Sequence, residues 1–348
     1  MRKKVTMQEI ADMVGVSKFA VSRALSSKPG VSPQTKETIL KAAGQLGYFS
    51  GGGNNEPVKS TFKSGIQLRP AQQSGLSGSI VILFPNIRHQ NRDNVYWGPV
   101  FDGIMNRLNQ ETLDIVTLTE PSTDNMFSLL NPDAIRGIIS IGSISTQILL
   151  DIGRLNIPVT MVDHADPAFQ CDTVFTDNFG GMRKLMTKLI SKGYRKYQFV
   201  GSIKDAPSYY ERWIAFKTTL EEHDIELKQD PLLIGPEAVD IYMMMPKLSL
   251  DELPEVFVCA HDSSAAFMVE ELQKRGIQVP RDCGVTGFDN TNDTHPILAT
   301  VNVNMELLGI RAVDQMIWRI MNPDTAPERK LIAGELLVRE QYAMQLDD

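Results

Sequence analysis

Cysteine is scarce in this chain, and long apolar runs are absent from it. Three cysteines occur in 348 residues, Cys171, Cys259 and Cys283, and none stands at the spacing of a metal-binding pair. We expect buried free thiols, as in a reducing cytoplasm, rather than a disulfide framework. No apolar run reaches the ~20 residues that span a bilayer, and the start, MRKKVTMQEIADMV, lacks the apolar stretch of a secretion signal. The sequence therefore predicts a cytoplasmic protein without a membrane partner.

Signatures of catalysis are also missing. The segment NFGG at 178–181 lacks the Lys and the Ser or Thr of a phosphate-binding P-loop, and no serine nucleophile elbow occurs. Four of the five histidines are scattered through polar loops and helix ends, and His261 has no second His or Cys at ligand spacing. We therefore expect neither an enzyme nor a resident metal or other cofactor.

Charge is distributed unevenly along the chain. Residues 1–48 contain eight Lys and Arg against three Asp and Glu, a net charge of +5. The whole chain carries −7 at neutral pH, so the remaining 300 residues carry −12. A basic segment attached to an acidic body indicates a phosphate-binding surface at the N-terminal end. The length and a hydrophobic content of 42% allow two or three domains with cores of their own.

Three short helices are predicted between Val5 and Tyr48. The residues that start them are Thr6 with Glu9, then Ser17, then Ser32 with Pro33. Gly15 supplies a tight turn between the first two helices. The apolar residues expected to form the core are Ala11, Val16, Val21, Leu25, Ile39, Leu40, Ala43 and Leu46. Two short helices across a Gly turn, with polar and basic groups outside, are typical of a helix-turn-helix that binds DNA.

The same run resembles the headpiece of the LacI/GalR family of bacterial repressors. VTMQEIADMVGVSKFAVSRALS and VSPQTKETILKAAGQLGY match its elements without gaps from Val5 to Tyr48. In this arrangement Lys18 and Phe19 open the recognition helix and meet base edges, and Arg23 can bond a guanine. The residues expected to contact operator DNA, at bases or phosphates, are Thr6, Ser17, Lys18, Phe19, Ser22, Arg23, Ser32, Thr35 and Tyr48.

Residues 50–78 are predicted to be a linker, since they are rich in Gly, Ser, Asn, Pro and Gln and have no apolar periodicity. The family usually places a short hinge helix here, with a leucine that wedges into the minor groove. Gly51–Gly53 stand where that helix would begin, and each Gly costs about 1 kcal/mol of helix stability. Leu68 lies many residues from the expected wedge position. The predicted domains are a headpiece at 1–49, this linker, and a core at 79–348.

From Ser79 onward, strand-like runs alternate with amphipathic helical segments. The runs are SIVILFP, DIVTLT, GIISIG, PVTMVD, YQFVGS, EVFVCAHD and CGVTGFDN, and the helices are expected at Val100–Gln110, Gly180–Lys192, Tyr209–His223 and Ser264–Arg275. This alternation predicts an α/β fold, with parallel sheets covered by helices on both faces. Because 270 residues are many for one sheet, we expect two lobes with a cleft at the carboxyl ends of their strands. The resemblance implies a core similar to periplasmic sugar-binding proteins, with three chain crossings between the lobes.

Carboxylates follow three of the predicted strands. Asp163, Asp262 and Asp289 each stand at a strand end, and Arg212 lies in the first turns of a predicted helix. A carboxylate accepts and a guanidinium donates hydrogen bonds in pairs, so together they suit the vicinal hydroxyls of a sugar. Asp262 precedes a helix directly, and capping that helix is an alternative role for it.

The resemblance places four residues, Asp163, Arg212, His261 and Asp289, at positions that contact the effector in the family. His261 departs from the Asn that is common there. Trp97 and Tyr96, which follow the first strand, are expected to provide an apolar or stacking wall. The predicted effector-binding residues are therefore Trp97, Asp163, Arg212, His261 and Asp289.

The sequence as a whole predicts a ligand-responsive transcriptional repressor that binds operator DNA and a sugar or sugar derivative. One helix-turn-helix contacts only about four or five base pairs, so a homodimer on a two-fold operator is expected, associated with the nucleoid when bound. Two alternatives remain open. One is a regulator of the same class that is controlled by a protein co-repressor and has a degenerate cleft; the other is an enzyme on the same two-lobed core. A periplasmic binding protein conflicts with the missing secretion signal and the DNA-binding head.

Overall fold

The computed structural model describes residues 6–25, 31, 32, 35, 38, 39, 42, 75–85, 91–119, 132–250 and 252–342. The chain divides into two compact units, Met1–Gln67 and Leu68–Asp348. The predicted linker lies outside the described residues except for its last four positions, as do Tyr48, Gly51–Gly53 and Leu68. None of the helices in the described ranges combines the length and apolar character that crossing a membrane requires.

The first unit contains the predicted helix-turn-helix. Helix α1 spans Met7–Val14 and α2 spans Lys18–Leu25, and Gly15 between them adopts the left-handed conformation at φ 71°. Thr6 and Glu9 form the predicted capping box, in which the Thr6 amide donates to Glu9 Oε2 over 2.7 Å. A third helix includes residues 35, 38, 39 and 42. The buried core consists of Ile10, Ala11, Val21, Ala24, Ile39 and Ala42, and Val16 packs half-buried against it.

The described side chains confirm three of the predicted headpiece core residues as buried: Ala11, Val21 and Ile39. Val16 is only half-buried. The predictions for Leu25, Leu40, Ala43 and Leu46 concern side chains outside the described set.

Lobe 1 of the second unit is built on a six-stranded parallel sheet. Its strands are β1 Gly78–Leu83, β2 Leu113–Leu118, β3 Ile135–Ile141, β4 Val159–Val162, β5 Asp172–Thr176 and β10 Arg329–Ile332, in the order β10-β5-β4-β3-β1-β2. Its helices are α3 Trp97–Leu108, α4 Thr146–Gly153 and α9 Met305–Met321. Alternate strand residues point to opposite faces, so Ile80 and Ile82 pack under α3 and α9 while Val81 and Leu83 pack under α4.

Lobe 2 is a five-stranded sheet with helices on both faces. Its strands are β6 Tyr197–Val200, β7 Val256–Cys259, β8 Gly284–Thr286, β9 Ala299–Asn302 and β11 Glu335–Val338, in the order β11-β9-β8-β7-β6. Only β11 runs antiparallel to its neighbour among the described strand pairs. The helices are α5 Asn178–Ser191, α6 Pro207–Glu222, α7 Ile241–Met244 and α8 Asp262–Lys274.

The chain passes between the lobes three times, as the resemblance implied. The passages join β5 to α5, β9 to α9, and β10 to β11. All seven predicted strand runs are strands, and the four predicted helices correspond to α3, α5, α6 and α8, with ends that differ by up to three residues. The sequence did not lead us to expect α4, α9, β5, β9 or β10. The α/β prediction with two lobes is confirmed.

Helices α3 and α9 approach each other closely, and two glycines permit this. A Cβ atom on Gly103 would lie 2.2 Å from the carbonyl oxygen of Glu306, and one on Gly309 would lie 2.1 Å from that of Val100. Both obstacles are backbone atoms, which cannot rotate away. The glycines therefore fix the distance between the first and last long helices of lobe 1, and the Arg107–Asp314 ion pair joins the same two helices.

Replacing Gly309 by Ala should destabilise lobe 1, although Ala is favoured over Gly in a helix by about 1 kcal/mol. The added methyl group must separate α3 from α9, at a net cost of roughly 1–3 kcal/mol. Urea denaturation measures this as a lower free energy of unfolding. Met321→Ala, at the exposed end of the same helix, should change it by no more than about 0.5 kcal/mol. A Gly309→Ala variant as stable as the original protein would contradict the packing described here.

Candidate functional site

A cavity of about 350 Å³ lies between the lobes, at the carboxyl ends of strands from both sheets. Asp163 follows β4 of lobe 1, whereas His261 and Asp289 follow β7 and β8 of lobe 2. Arg212 reaches the cavity from α6, and Trp97 from the first turn of α3. The structure thus brings the five predicted effector-binding residues into the lining of one cavity.

Arg212 is the best-anchored side chain of the cavity. It is 3% exposed, and its Nη2 donates to Asp289 Oδ1 over 3.0 Å. Its Nε donates to Asn178 Oδ1 over 3.0 Å and its Nη1 to the Ala260 carbonyl over 2.6 Å, while its guanidinium stacks 3.7 Å from the centre of the Phe288 ring. Within the described residues these bonds use three of the five guanidinium N–H groups. The other two N–H groups have no partner there.

The acidic groups around Arg212 favour its cationic form. Burial disfavours the cationic form of Arg212, but the neighbouring Asp289 and other acidic groups raise its pKa above the ordinary value. Arg212 is therefore a permanent cation inside the cavity. With Asp163 and Asp289 ionised, the three groups together carry one net negative charge, which disfavours an anionic ligand.

Asp163 and Asp289 occupy strained backbone positions. Their φ angles are 54° and 91°, in the region that only glycine adopts freely. Each donates its amide N–H to the next strand over 2.9 Å, Asp163 to the Val174 carbonyl and Asp289 to the Val301 carbonyl. The sheets thus hold both strand ends in a turn that aims the carboxylates at the cavity. Such strain costs of order 1–3 kcal/mol per residue and is found mainly at functional sites.

Tyr96, which the sequence analysis placed beside Trp97 as an apolar or stacking wall, also holds the carboxylate of lobe 1. Its hydroxyl donates to Asp163 Oδ2 over 3.1 Å, and its ring meets the Trp97 ring edge-on at 4.9 Å. Asp163 Oδ1 is inaccessible to solvent and has no hydrogen-bond partner among the described residues. Burial, the main cause, raises the pKa of Asp163 to about 6. One carboxylate oxygen of Asp163 is thus held by Tyr96, and the other has no partner among the described residues.

His261 lines the cavity with its ring rather than with a free nitrogen. Its Nδ1 accepts the Ser264 amide over 3.2 Å and its Nε2 lies 3.0 Å from Ser264 Oγ, so the neutral ring carries its proton on Nε2. Burial lowers the pKa of His261 to about 4, which agrees with the neutral form. The ring lies against Tyr209 at 5.2 Å. Tyr209 stands one helical turn before Arg212, and this spacing is the sequence signal that could have identified it.

The prediction that Asp262 caps the next helix is wrong, because His261 is the N-cap of α8. Asp262 is completely buried and instead accepts the amides of Thr291 over 2.9 Å and Asn292 over 3.3 Å, together with the Thr300 hydroxyl over 2.7 Å. Burial raises the pKa of Asp262 to about 7. This side chain fixes the loop that follows Asp289 and does not line the cavity.

A chain of hydrogen bonds leads from the cavity to the other lobe. The Asn178 side chain accepts from Arg212 and donates to Glu211 Oε2 over 2.9 Å. Glu211 Oε1 pairs with Arg329 on β10 of lobe 1, whose guanidinium also stacks on Phe175 at 4.6 Å. Asn178 directly follows the first passage between the lobes. Arg212 is thereby connected both to the first passage between the lobes and to lobe 1.

The predicted DNA-contacting residues divide into two groups. The hydroxyls of Thr6, Ser17 and Ser32 accept amides at helix starts, and Thr35 Oγ1 lies 2.7 Å from Ser32 Oγ. The second group lies on the predicted recognition helix α2 and consists of Lys18, Phe19, Ser22 and Arg23. Tyr48 lies outside the described residues. In the ranges that the structure covers, no group of three or more His, Cys, Asp or Glu could hold a metal ion.

Comparison with known proteins matches both units. Residues 6–50 match the model of bacterial regulatory proteins of the lacI family, and residues 186–340 match that of a periplasmic binding protein-like domain. The HTH-type transcriptional repressor MelR of Bacillus subtilis is 26% identical over 352 residues, 97% of each chain.

Two solved structures share the fold over nearly the whole length. The transcriptional regulator CelR in complex with cellobiose superimposes with a TM-score of 0.64 at 20% identity and covers 97% of this chain and 99% of its own. The lac repressor dimer bound to operator and the anti-inducer ONPF superimposes with a TM-score of 0.57 at 19% identity, covering 97% and 98%.

A helix-turn-helix headpiece joined to a two-lobed α/β core defines a DNA-binding transcriptional regulator. The N-terminal unit matches the LacI family of bacterial regulatory proteins, and the relatives that align with nearly the whole chain are named as transcriptional regulators and repressors rather than enzymes.

The buried carboxyl of Asp163 should make stability depend on pH in a defined direction. The unfolded chain loses this proton near the ordinary pKa of 3.8, whereas the folded protein keeps it up to about pH 6. The carboxylate therefore destabilises the folded protein increasingly from about pH 4 to pH 6. The stability of Asp163→Asn relative to the original protein should rise over this interval, as measured by urea denaturation at pH 4 and pH 7. Asp93→Asn, at an exposed site of the same lobe, controls for net charge. A relative stability that falls or stays constant would contradict the burial of this group.

Proposed function

We propose that this regulator is a homodimeric repressor whose effector is an uncharged, hydroxyl-rich molecule of sugar type, bound in the cavity between the lobes. The convergence of Asp163, Arg212 and Asp289 carries the proposal. The cavity is lined by the Asp163 carboxylate of lobe 1, one oxygen of which has no partner among the described residues, and by the Arg212 guanidinium of lobe 2, two N–H groups of which are unused. Both lobes therefore contribute hydrogen bonds that a polyhydroxylated ligand would complete.

Size, shape and charge narrow the effector class. About 350 Å³ is near the lower end of ligand sites, which suits one or two sugar rings. Trp97, Tyr209 and the ring of His261 provide flat apolar walls for the C–H faces of a sugar. The net negative charge of the cavity disfavours a sugar phosphate. The CelR structure, which shares this fold, is a complex with cellobiose, and this supports the sugar class.

Coupling to DNA follows from the position of the cavity between two lobes. A ligand that contacts both lobes binds one lobe angle better than another and shifts the population toward it. The hydrogen bonds from Arg212 through Asn178 and Glu211 to Arg329 give the occupied cavity a direct connection to lobe 1. In a dimer, a change of lobe angle would alter the spacing of the two headpieces on the operator. Dimerisation is supported by the lac repressor dimer and by the few base pairs that one headpiece can contact.

A protein co-repressor with a degenerate cavity is the second candidate that the sequence left open. Two carboxylates at positive φ angles and a buried guanidinium argue against it, since a cavity that binds no ligand has no need of such costly groups. A thermal-shift screen of the full chain against neutral sugars, sugar acids and sugar phosphates separates the two. A neutral sugar at 100 times its Kd adds about 2.7 kcal/mol of stability. If none of these compounds shifts the melting temperature, the small-molecule effector is refuted.

Variants of the Arg212–Asp289 pair should separate effector response from DNA binding. Removing either side chain leaves the other buried and unpaired, at a cost of about 3–5 kcal/mol of stability. The informative change is therefore Asp289→Asn, which retains an acceptor for Arg212. We expect it to weaken binding of the sugar identified by the screen by about 1–3 kcal/mol, while operator affinity without sugar stays unchanged. Calorimetry and electrophoretic shifts measure the two affinities.

Asp293→Asn is the matched control, since this exposed residue follows Asp289 by four positions and lies outside the cavity. It should bind sugar and operator like the original protein. Normal sugar binding by Asp289→Asn would remove Asp289 from the proposed site.

A further inference from the structure

Phe19 is the most exposed large apolar side chain of the described chain. It lies on the first turn of α2 and is 68% exposed, although the headpiece has a closed apolar core of its own. The ring therefore contributes little to that core. Its position on the first turn of a recognition helix is the one that meets base edges in the major groove.

The side chain of Phe offers neither a donor nor an acceptor, which restricts what it can recognise on DNA. A, G and C present hydrogen-bonding groups in the major groove and carry no methyl group there, whereas thymine presents its C5-methyl. A bare aromatic ring in this groove therefore makes a more favourable contact beside thymine than beside the other bases.

Arg23 lies over the same ring. Residues 19 and 23 are separated by one helical turn, and the Arg23 guanidinium carbon is 5.3 Å from the centre of the Phe19 ring. The ring therefore lies within cation–π distance of the guanidinium. Paired guanidinium N–H donors match the O6 and N7 acceptors of guanine. The two residues are about 6 Å apart along the helix, so their bases lie within about two base pairs of each other.

We propose that Phe19 and Arg23 act as one unit that recognises a thymine and a nearby guanine in each operator half-site. Phe19 contacts the thymine methyl group and positions Arg23 for the guanine. This inference rests on the proposed DNA-binding role of α2 and goes beyond it, because it names the chemical groups that are recognised.

The test begins with selection of binding sites for the full chain from a random duplex library. In the best selected duplex, each thymine is replaced in turn by deoxyuridine, which lacks only the methyl group, and each guanine by 7-deazaguanine, which lacks N7. At one thymine position per half-site, replacement by deoxyuridine should weaken binding of the protein about fourfold, which is the effect of one buried methyl group. In Phe19→Ala, thymine and uracil should be bound equally at that position, and the 7-deazaguanine effect should become smaller.

Two variants keep the result interpretable. Phe19→Leu retains an apolar group, so it should retain part of the preference for thymine over uracil. Met13→Ala removes another exposed apolar side chain, 53% exposed on α1, and should leave both preferences unchanged. Because Phe19 is outside the core, its variants should retain the helical circular dichroism of the original protein.

The results that would overturn the DNA-binding role of α2 differ from those that would overturn only the roles of Phe19 and Arg23. If selection yields no preferred sequence, the proposed DNA-binding role fails together with this inference. If a sequence is selected but uracil replaces thymine everywhere without loss, or Phe19→Ala retains the full methyl preference, only the role of Phe19 is overturned. An unchanged 7-deazaguanine effect in Phe19→Ala would refute the positioning of Arg23.

Discussion

The buried pair of Arg212 and Asp289 is the interaction on which the arrangement of the cavity depends. One guanidinium contacts the loop after β8, the end of β7 through the Ala260 carbonyl, and the start of α5 through Asn178. A buried ion pair contributes little net stability, and a well-packed apolar pair would often be more stable. In the proposed function, the four groups around this guanidinium hold it in place for a ligand. They fix the direction of its remaining N–H groups before a ligand arrives, which reduces the ordering cost of binding.

The strained strand ends orient a carboxylate in each lobe. Asp163 and Asp289 stand at corresponding places in the two lobes, each at a positive φ angle and each bonded through its amide to the neighbouring strand. The closed cores of both lobes sustain the strain, because each sheet is packed by helices on both faces. The Tyr96–Asp163 hydrogen bond repeats in lobe 1 what Arg212 does for Asp289 in lobe 2. The cavity thus has one oriented carboxylate on each side.

The sequence could predict the strands and the residues at their ends because buried parallel strands are short apolar runs bounded by polar residues. It did not indicate α9, although the buried residues of this helix recur at helical spacing. It misassigned Asp262, because the N-cap was supplied by His261, an unusual capping residue. The bonds of Arg212 to Asn178, and of Glu211 to Arg329, join residues 34 and 118 positions apart. No local pattern encodes such contacts, and the same is true of the positive φ angles at Asp163 and Asp289.

In the proposed function, sugar binding between the lobes and operator binding at the headpieces each shift the same conformational equilibrium of the protein. The most direct test measures the Kd of the sugar identified by the thermal-shift screen, by calorimetry on the full chain, with and without a saturating amount of the selected operator duplex. Linkage requires that the operator change sugar affinity by the same factor by which the sugar changes operator affinity, typically about 5- to 150-fold. Equal sugar affinity with and without operator, in a protein that binds both, would contradict the account.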